Sequence, residues 1–183
     1  LNALNVSDIE GVEILKGPDG SLFGANSGGG VLLKSDFSNS DATQVRLFGG
    51  SYGFIGNSAL IRRNTGKHNW SVRQSFQRAD GYRNNTQNKR LFFQVSDKWN
   101  YSERNYLELY AYYSGFDYGT PGGLTIEQLE ENPQQSRPAT SKLPGSAEQQ
   151  TGVKSAMYFG GIRNHFRLLP FLEHTISVWG TYS

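Results

Sequence analysis

The side chains nearest to metal or acid–base chemistry are the three histidines, His68, His165 and His174. Metal ligation needs two or three such groups converging with carboxylates. These three have no His-x-His or His-x-x-x-His spacing, and each falls near a predicted turn or strand end, so they read as solvated or interface residues. The triplet Gly28-Gly29-Gly30 has the composition of a phosphate cradle, but no Gly-x-x-x-x-Gly-Lys-Ser/Thr motif and no long helix come after it; it reads as a turn or packing element. Lys16, ahead of Gly17-Pro18, reads as a salt-bridging or solvated amine. A serine hydrolase needs a strand-to-helix nucleophile elbow with Gly-x-Ser-x-Gly spacing, and neither the elbow nor the spacing is expected. With no cysteine in the chain, thiol catalysis, disulfides and cysteine-bound zinc are excluded. The expectation is a protein that is not an enzyme and holds no metal or cofactor of its own. What remains is recognition. Arg73, Arg78, Arg83 and Arg137 offer charge-assisted hydrogen bonds to an anion, or to generic polar surroundings. Tyr112, Phe116 and Tyr118 offer ring faces to an aromatic ligand.

Those residues must be positioned by strands. Among 183 residues, 22 are glycine and 13% are aromatic, a pairing that suits pleated sheet with glycine at its bends. The net charge is only +2, with arginines spread along the chain, which disfavours nucleic acid as a partner. No run of about 18 apolar residues occurs, so no transmembrane helix is predicted; barrel strands, short and half apolar, are untouched by that test. The chain opens at Leu1 in mid-pattern, without Met or signal peptide, and this predicts a fragment or processed product.

Ile9, Val12, Ile14 and Leu15 alternate with Glu10, Glu13 and Lys16, predicting a short strand over 8–15 that ends at Gly17-Pro18. A helical turn over 19–23, capped by Asp19, and bends at Gly24-Ala25-Asn26 and Gly28-Gly29-Gly30 lead to a strand over 31–34. Residues 35–41 form a polar connector. Strands are then expected at about 43–50, 54–64, 68–79, 89–100, 104–117, 152–166 and 171–183. Trp70, Val72 and Phe76 alternate with Ser71, Arg73, Ser75 and Gln77. Leu91, Phe93 and Val95 alternate with Phe92, Gln94 and Ser96, and Leu107, Leu109, Ala111 and Tyr113 with Tyr106, Glu108, Tyr110 and Tyr112. One face is apolar and the other polar yet aromatic. The runs match the roughly 9–11 residues of a tilted membrane-crossing strand.

Tight turns at 64–67, 100–103 and 168–171, the last built on Pro170, alternate with longer polar loops at 80–88 and about 117–151. A transmembrane barrel has this asymmetry between its two ends. Trp99 and Trp179 suit an interfacial girdle. Within the longer loop, Thr125 and Gln128 form a capping box that predicts a short helix over 126–132, stopped before Pro133.

The stretch Ile9-Glu10-Gly11-Val12-Glu13-Ile14-Leu15-Lys16-Gly17-Pro18, then Leu22-Phe23-Gly24, then Gly29-Gly30-Val31, resembles in order and spacing the end of the plug domain of TonB-dependent outer-membrane receptors. Gly11 stands where that family usually has a basic residue, and Leu32-Leu33-Lys34 is a less regular exit strand. Gly50-Ser51-Tyr52-Gly53 resembles the family's first hairpin and Asp80-Gly81-Tyr82-Arg83 its second outer loop. The segment from Gly119-Thr120-Pro121-Gly122-Gly123 to Gln135 is similar to the third outer loop of ferric-siderophore and ferric-citrate receptors.

The resemblance implies an all-β protein, a transmembrane antiparallel barrel of about 22 strands with an N-terminal plug. The chain would cover the end of the plug (1–35), a connector (36–41) and the first strands of the barrel (42–183). Glu10, Glu13, Lys16, Gly17, Pro18, Gly24, Gly29 and Gly30 would be structural plug residues. Arg73, Arg83, Tyr112, Phe116, Tyr118 and Arg137 are the candidate ligand contacts. The implied function is active uptake of a ferric siderophore or related iron complex across the outer membrane of a Gram-negative bacterium. The partners would be a TonB-type energy-transducing protein in the periplasm and outer-membrane lipid or lipopolysaccharide, with iron carried only in the ligand. Import of oligosaccharide, cobalamin or haem by the same fold, or a passive porin, are the alternatives.

Overall fold

The structure, a computed structural model, describes residues 9–17, 29–35 and 40–183. The chain divides into two compact units, Leu1–Ser38 and Asn39–Ser183.

In the first unit, β1 (Ile9–Lys16) and β2 (Gly29–Ser35) pair antiparallel, with Lys16 opposite Gly29 and Ile9 opposite Ser35. The register slips between Ile9 and Gly11, so Glu10 is an extra residue in β1, as in a β-bulge. Gly17 ends β1 at φ +78°, a left-handed backbone that glycine adopts at little cost. Gly29 and Gly30, expected as bends, instead open β2 opposite Lys16 and Leu15. Glycine is as free to extend as to turn, and pairing with β1 supplies the ladder hydrogen bonds that decide between them. The helical turn at 19–23, the bend at 24–26, and the individual residues Pro18 and Gly28 lie outside the described residues.

The second unit is one antiparallel sheet of seven strands in chain order, β3 to β9. These are β3 (Ala42–Gly49), β4 (Ile55–Asn64), β5 (His68–Ala79), β6 (Asn88–Asn100), β7 (Tyr106–Gly119), β8 (Gly152–Leu169) and β9 (Leu172–Tyr182). All seven predicted strands are present, with ends shifted by up to three residues. The largest shift is at β8, where the register slips between Arg167 and Leu169 before Pro170. Every strand exceeds the five or six residues usual in soluble sheets. The one helix among the described residues, α1 (Ile126–Glu131), starts where the capping box predicts, with both reciprocal bonds between Thr125 and Gln128 made. No helix among the described residues is long and apolar enough to cross a membrane.

Register carries the alternation of each strand coherently across the sheet. One face holds Val45, Ile61, Val72, Phe93, Leu109, Ile162 and Val178; the other holds Gln44, Arg62, Arg73, Gln94, Tyr110, Arg163 and Ser177. In a soluble one-sided sheet the apolar face is sheltered. Here the reverse holds. Leu91, Phe93 and Val95 are exposed, while Phe92, Gln94 and Ser96 between them are buried. On β5, Asn69, Ser71 and Arg73 are buried, and Trp70 and Val72 are only half-buried. Phe92 is the only buried hydrophobic residue among the described ones, against seven buried polar strand residues: Arg62, Asn69, Ser71, Arg73, Gln94, Ser96 and Ser114.

Candidate functional site

Opposed residues on paired strands share a face, so the register assembles the polar face row by row. Arg73, Gln94, Tyr112 and Phe159 lie in one row across β5 to β8, and Arg62, Ser71, Ser96 and Tyr110 in the next. The Ser71 and Ser96 hydroxyls are 2.8 Å apart, and the Tyr110 hydroxyl donates to Gln94 Oε1 at 3.1 Å. Tyr112 stacks on Phe159 with ring centres 5.2 Å apart and on Phe92 at 5.8 Å; Tyr110 meets Phe159 edge-on at 5.8 Å. Further toward the loops on the same face of β7, Phe116 and Tyr118 stack at 5.9 Å. Four of the six candidate contacts, Arg73, Tyr112, Phe116 and Tyr118, thus share one face. By register the polar face of β3 to β7 carries Arg46, Arg62, Arg73, Arg90 and Lys98 against the single carboxylate of Glu108, a balance that favours anions. Glu108 is itself engaged at the tight-turn end, with Lys98 Nζ at 3.9 Å and Arg163 Nη1 at 3.5 Å.

The other two candidates, Arg83 and Arg137, sit in the loops and hold them together. Arg83 Nε donates to the Gln135 carbonyl at 3.0 Å and its Nη2 to the Gly122 carbonyl at 2.9 Å. Arg137 donates to the carbonyls of Pro138 and Pro144 at 3.2 and 2.9 Å. Both guanidiniums therefore satisfy backbone acceptors that an irregular loop leaves unpaired. Gly122, at φ +73°, lies where an added Cβ would meet Arg137 Cβ at 2.8 Å.

Asn85 is the residue that sequence reading missed. At φ +61°, it directs Nδ2 to the carbonyls of Thr120 and Thr151 at 2.9 and 2.8 Å, across both ends of the 120–151 loop. The Thr151 hydroxyl donates to the Thr120 carbonyl at 2.7 Å, and the Gly119 N–H to the Gln87 carbonyl at 2.8 Å. The available signal was an Asn in a polar loop, a residue tolerant of left-handed backbone; its partners are 35 and 66 positions away. Asn85→Ala is expected to leave the strands intact and to loosen this loop by about 0.5–1.5 kcal/mol, the net worth of a lost hydrogen bond, because the Thr120 carbonyl keeps the Thr151 hydroxyl and the Thr151 carbonyl keeps the Thr120 N–H. Limited proteolysis should then cut within 120–151 faster than in the parent protein; an unchanged rate would remove Asn85 from that role.

On α1, which buries none of its residues, the Glu127 carboxyl lies below its ordinary value because hydrogen bonds from its own N–H, and then from Thr125, favour the charged form. In the β3–β4 turn, Tyr52 and Gly53 have φ +58° and +67°, and Tyr52 packs edge-on against Tyr82 at 5.4 Å. Gly49-Gly50-Ser51-Tyr52-Gly53 does match the spacing of a nucleophile motif, contrary to expectation. It joins two antiparallel strands, however, not a strand and a helix. All three histidines lie at the sheet's opposite end, so Ser51 has no imidazole base.

The histidines are separate. His68 Nδ1 is 2.8 Å from Asp97 Oδ2 and stacks on Trp99; His165 stacks on Tyr106, and His174 on Phe166. No metal-ligating cluster occurs among the described residues. Trp99 lies on the apolar face beside Tyr101 near the tight turns. Trp179 is opposite Gly161 on the polar face, because strand alternation sends each neighbour to the other side. In the first unit Glu13 and Lys16 are exposed; of Glu10 only the backbone is described, and Pro18 and Gly24 lie outside the described residues. Compared with protein-family models and with curated proteins, this chain matches none.

Proposed function

We propose that this chain is part of a TonB-dependent outer-membrane transporter, the end of its plug and the first strands of its barrel, taking up a ferric siderophore or similar iron complex. The observation that carries the membrane part is the inverted sheet. From β4 to β8 its apolar face carries the exposed Ile61, Leu91, Phe93, Val95, Leu109 and Ile162 and is half-buried on β5, while Arg62, Arg73, Ser71, Ser96, Ser114 and Gln94 are sheltered on the other face; the outer strands β3 and β9 are exposed on both faces. Water gives no reason to build a sheet this way, because exposing apolar area costs roughly 25 cal/mol per Å². A bilayer removes that cost, and a barrel hides the polar face in its lumen. Charges bracket the apolar band: on β6 that face runs Lys89, Leu91, Phe93, Val95, Asp97, and on β7 it is uncharged from Leu107 to Gly115.

The transport part rests on the resemblance of residues 9–31 and of the loops to that receptor family, and on the basic, aromatic polar face. An anionic iron chelate suits Arg73 and the neighbouring cations by charge and Tyr112, Phe116 and Tyr118 by ring contact. Arg83 and Arg137 contribute by shaping the loops above. In this reading no covalent chemistry occurs; work is done by differential binding between closed and opened states, driven by a periplasmic energy-transducing partner. The test is binding of iron-loaded siderophores, set against oligosaccharides, cobalamin and haem, to the intact detergent-purified protein. Submicromolar binding of an iron chelate, weakened about tenfold or more by Arg73→Gln, is the expected result. Binding only of a competitor class would replace the cargo, and an intact protein soluble without detergent would end the membrane reading.

A further inference from the structure

Between the β6–β7 turn and the end of β8 lies an open cavity of about 390 Å³, lined by residues 102–105 and 167–170. It is at the tight-turn end, away from the loops and the ligand face. Its chemistry is divided. Arg104 and Glu103 are adjacent and exposed, and among the described residues neither makes an ion pair or a side-chain hydrogen bond. Arg167 is half-buried and pairs with Glu173; its Nε is buried with no partner among the described residues. Its N–H donates to Asn105 Oδ1 at 2.8 Å, tying the two turns together. Beside these polar groups the surface is apolar and exposed: Leu168, Leu169, Leu172 and Phe171, the last 85% exposed. Leu169 and Leu172 are opposed on the face that also carries Ile176 and Val178, so the cavity borders the apolar band.

We propose that this cavity binds the headgroup of a zwitterionic phospholipid, a phosphoethanolamine, with Arg104 on the phosphate and Glu103 on the ammonium. The inference rests on the membrane reading above. Of the two lining arginines, Arg167 is neutralised by its partner Glu173 beside the cavity and Arg104 is matched by the adjacent Glu103, so the site carries no net excess of positive charge to concentrate free phosphate or a purely anionic lipid. Adjacent opposite charges match a phosphate and an ammonium separated by two carbons, each pairing through charge-assisted hydrogen bonds. The leucines and Phe171 receive the glycerol and the first acyl carbons, which a soluble phosphoethanolamine lacks. Trp99, near the end of β6, and Tyr101, on the β6–β7 turn itself, are the amphipathic side chains that favour a headgroup layer.

The test uses the intact protein, delipidated in detergent, with bound lipid counted by native mass spectrometry. Palmitoyl-oleoyl phosphatidylethanolamine is expected to bind about fivefold tighter than the phosphatidylcholine of the same chains, whose ammonium has no N–H to donate to Glu103. Glu103→Ala should abolish that preference, weakening phosphatidylethanolamine by more than phosphatidylcholine, whose quaternary ammonium loses only coulombic attraction, and Arg104→Gln should weaken both about tenfold. Both side chains are exposed turn residues, and heat-modifiable gel mobility checks that each variant remains folded. A folded, detergent-dependent protein that binds both lipids equally, or that ignores both substitutions, overturns the site and leaves the membrane reading standing. Equal binding of soluble phosphoethanolamine overturns the lipid as occupant. A protein soluble without detergent overturns both proposals.

Discussion

With the apolar face against lipid, as proposed, Phe93→Arg is expected to destabilise the protein by about 2–4 kcal/mol, the cost of a guanidinium at mid-depth on the lipid face of a barrel. Phe93 is 43% exposed on the apolar face, with Leu91 and Val95 on either side and the nearest charges at Lys89 and Asp97. The same substitution on an exposed strand of a soluble sheet changes stability by no more than about 0.5 kcal/mol. The two solvents thus give answers that differ by several-fold, and the variant discriminates between them. Reversible unfolding from lipid vesicles in urea or guanidinium would measure the difference, with Phe93→Leu as a control close to the parent. A loss under about 0.5 kcal/mol for the arginine variant would mean that this face meets water.

The neighbouring residue should respond in the opposite manner. Phe92 is 1% exposed, packed on the polar face against Tyr112 at 5.8 Å and opposite Ser75 and Ser114. Phe92→Ala removes a ring from an enclosed site, and large-to-small changes of this kind cost about 3–5 kcal/mol. Phe92→Leu restores most of the volume and should recover the greater part of that loss. Because Tyr112 stacks on both Phe92 and Phe159, the alanine variant should also loosen Tyr112 and weaken binding of an aromatic ligand. If Phe92→Ala and Phe93→Ala cost the same in the unfolding assay, the assignment of sheltered and exposed faces fails. A pair of adjacent phenylalanines with unequal sensitivity is the most direct signature of an inside-out sheet.

Much of the strand pattern was legible because its causes are local. Alternation with period two marked β5, β6 and β7 to within two residues, and Pro170 marked the turn between β8 and β9. The Thr125–Gln128 capping box is a contact between residues three apart, so it located α1 without any knowledge of the rest. Gly29 and Gly30 were misjudged for the converse reason. Whether a glycine bends or extends is decided by its partner strand, and Leu15 and Lys16 are more than a dozen positions away. The Gly-x-Ser-x-Gly match at Ser51 is a similar lesson. The spacing is real, but its meaning depends on the next element of the chain, which is a strand here instead of a helix.

The candidate contacts divide along the same line. Tyr112, Phe116 and Tyr118 could be assigned to one face of β7 by counting, since side chains along a strand alternate without regard to distant partners; Arg73 joins them only through the register of β5 and β6. Arg83 and Arg137 could not be given a role that way. Their acceptors are carbonyls of Gly122, Gln135, Pro138 and Pro144, and a carbonyl carries no residue identity by which a sequence announces it. Asn85 was invisible for that reason also.

By itself, then, the sequence determined the number and length of the strands, the two-faced alternation, the asymmetry between tight turns and long loops, and the plug-like motif order from Ile9 to Val31. Each of these is a short-range property of side-chain type and spacing. Only the tertiary structure decided which face is sheltered, that Trp179 is on the polar side and Trp99 on the apolar one, that Tyr112 stacks on Phe159, and that Asn85 ties the ends of the 120–151 loop. Those depend on strand register and loop closure, where residues far apart in the chain meet. A one-residue slip in the register of a strand would send its whole set of side chains to the other face while leaving the sequence pattern the same.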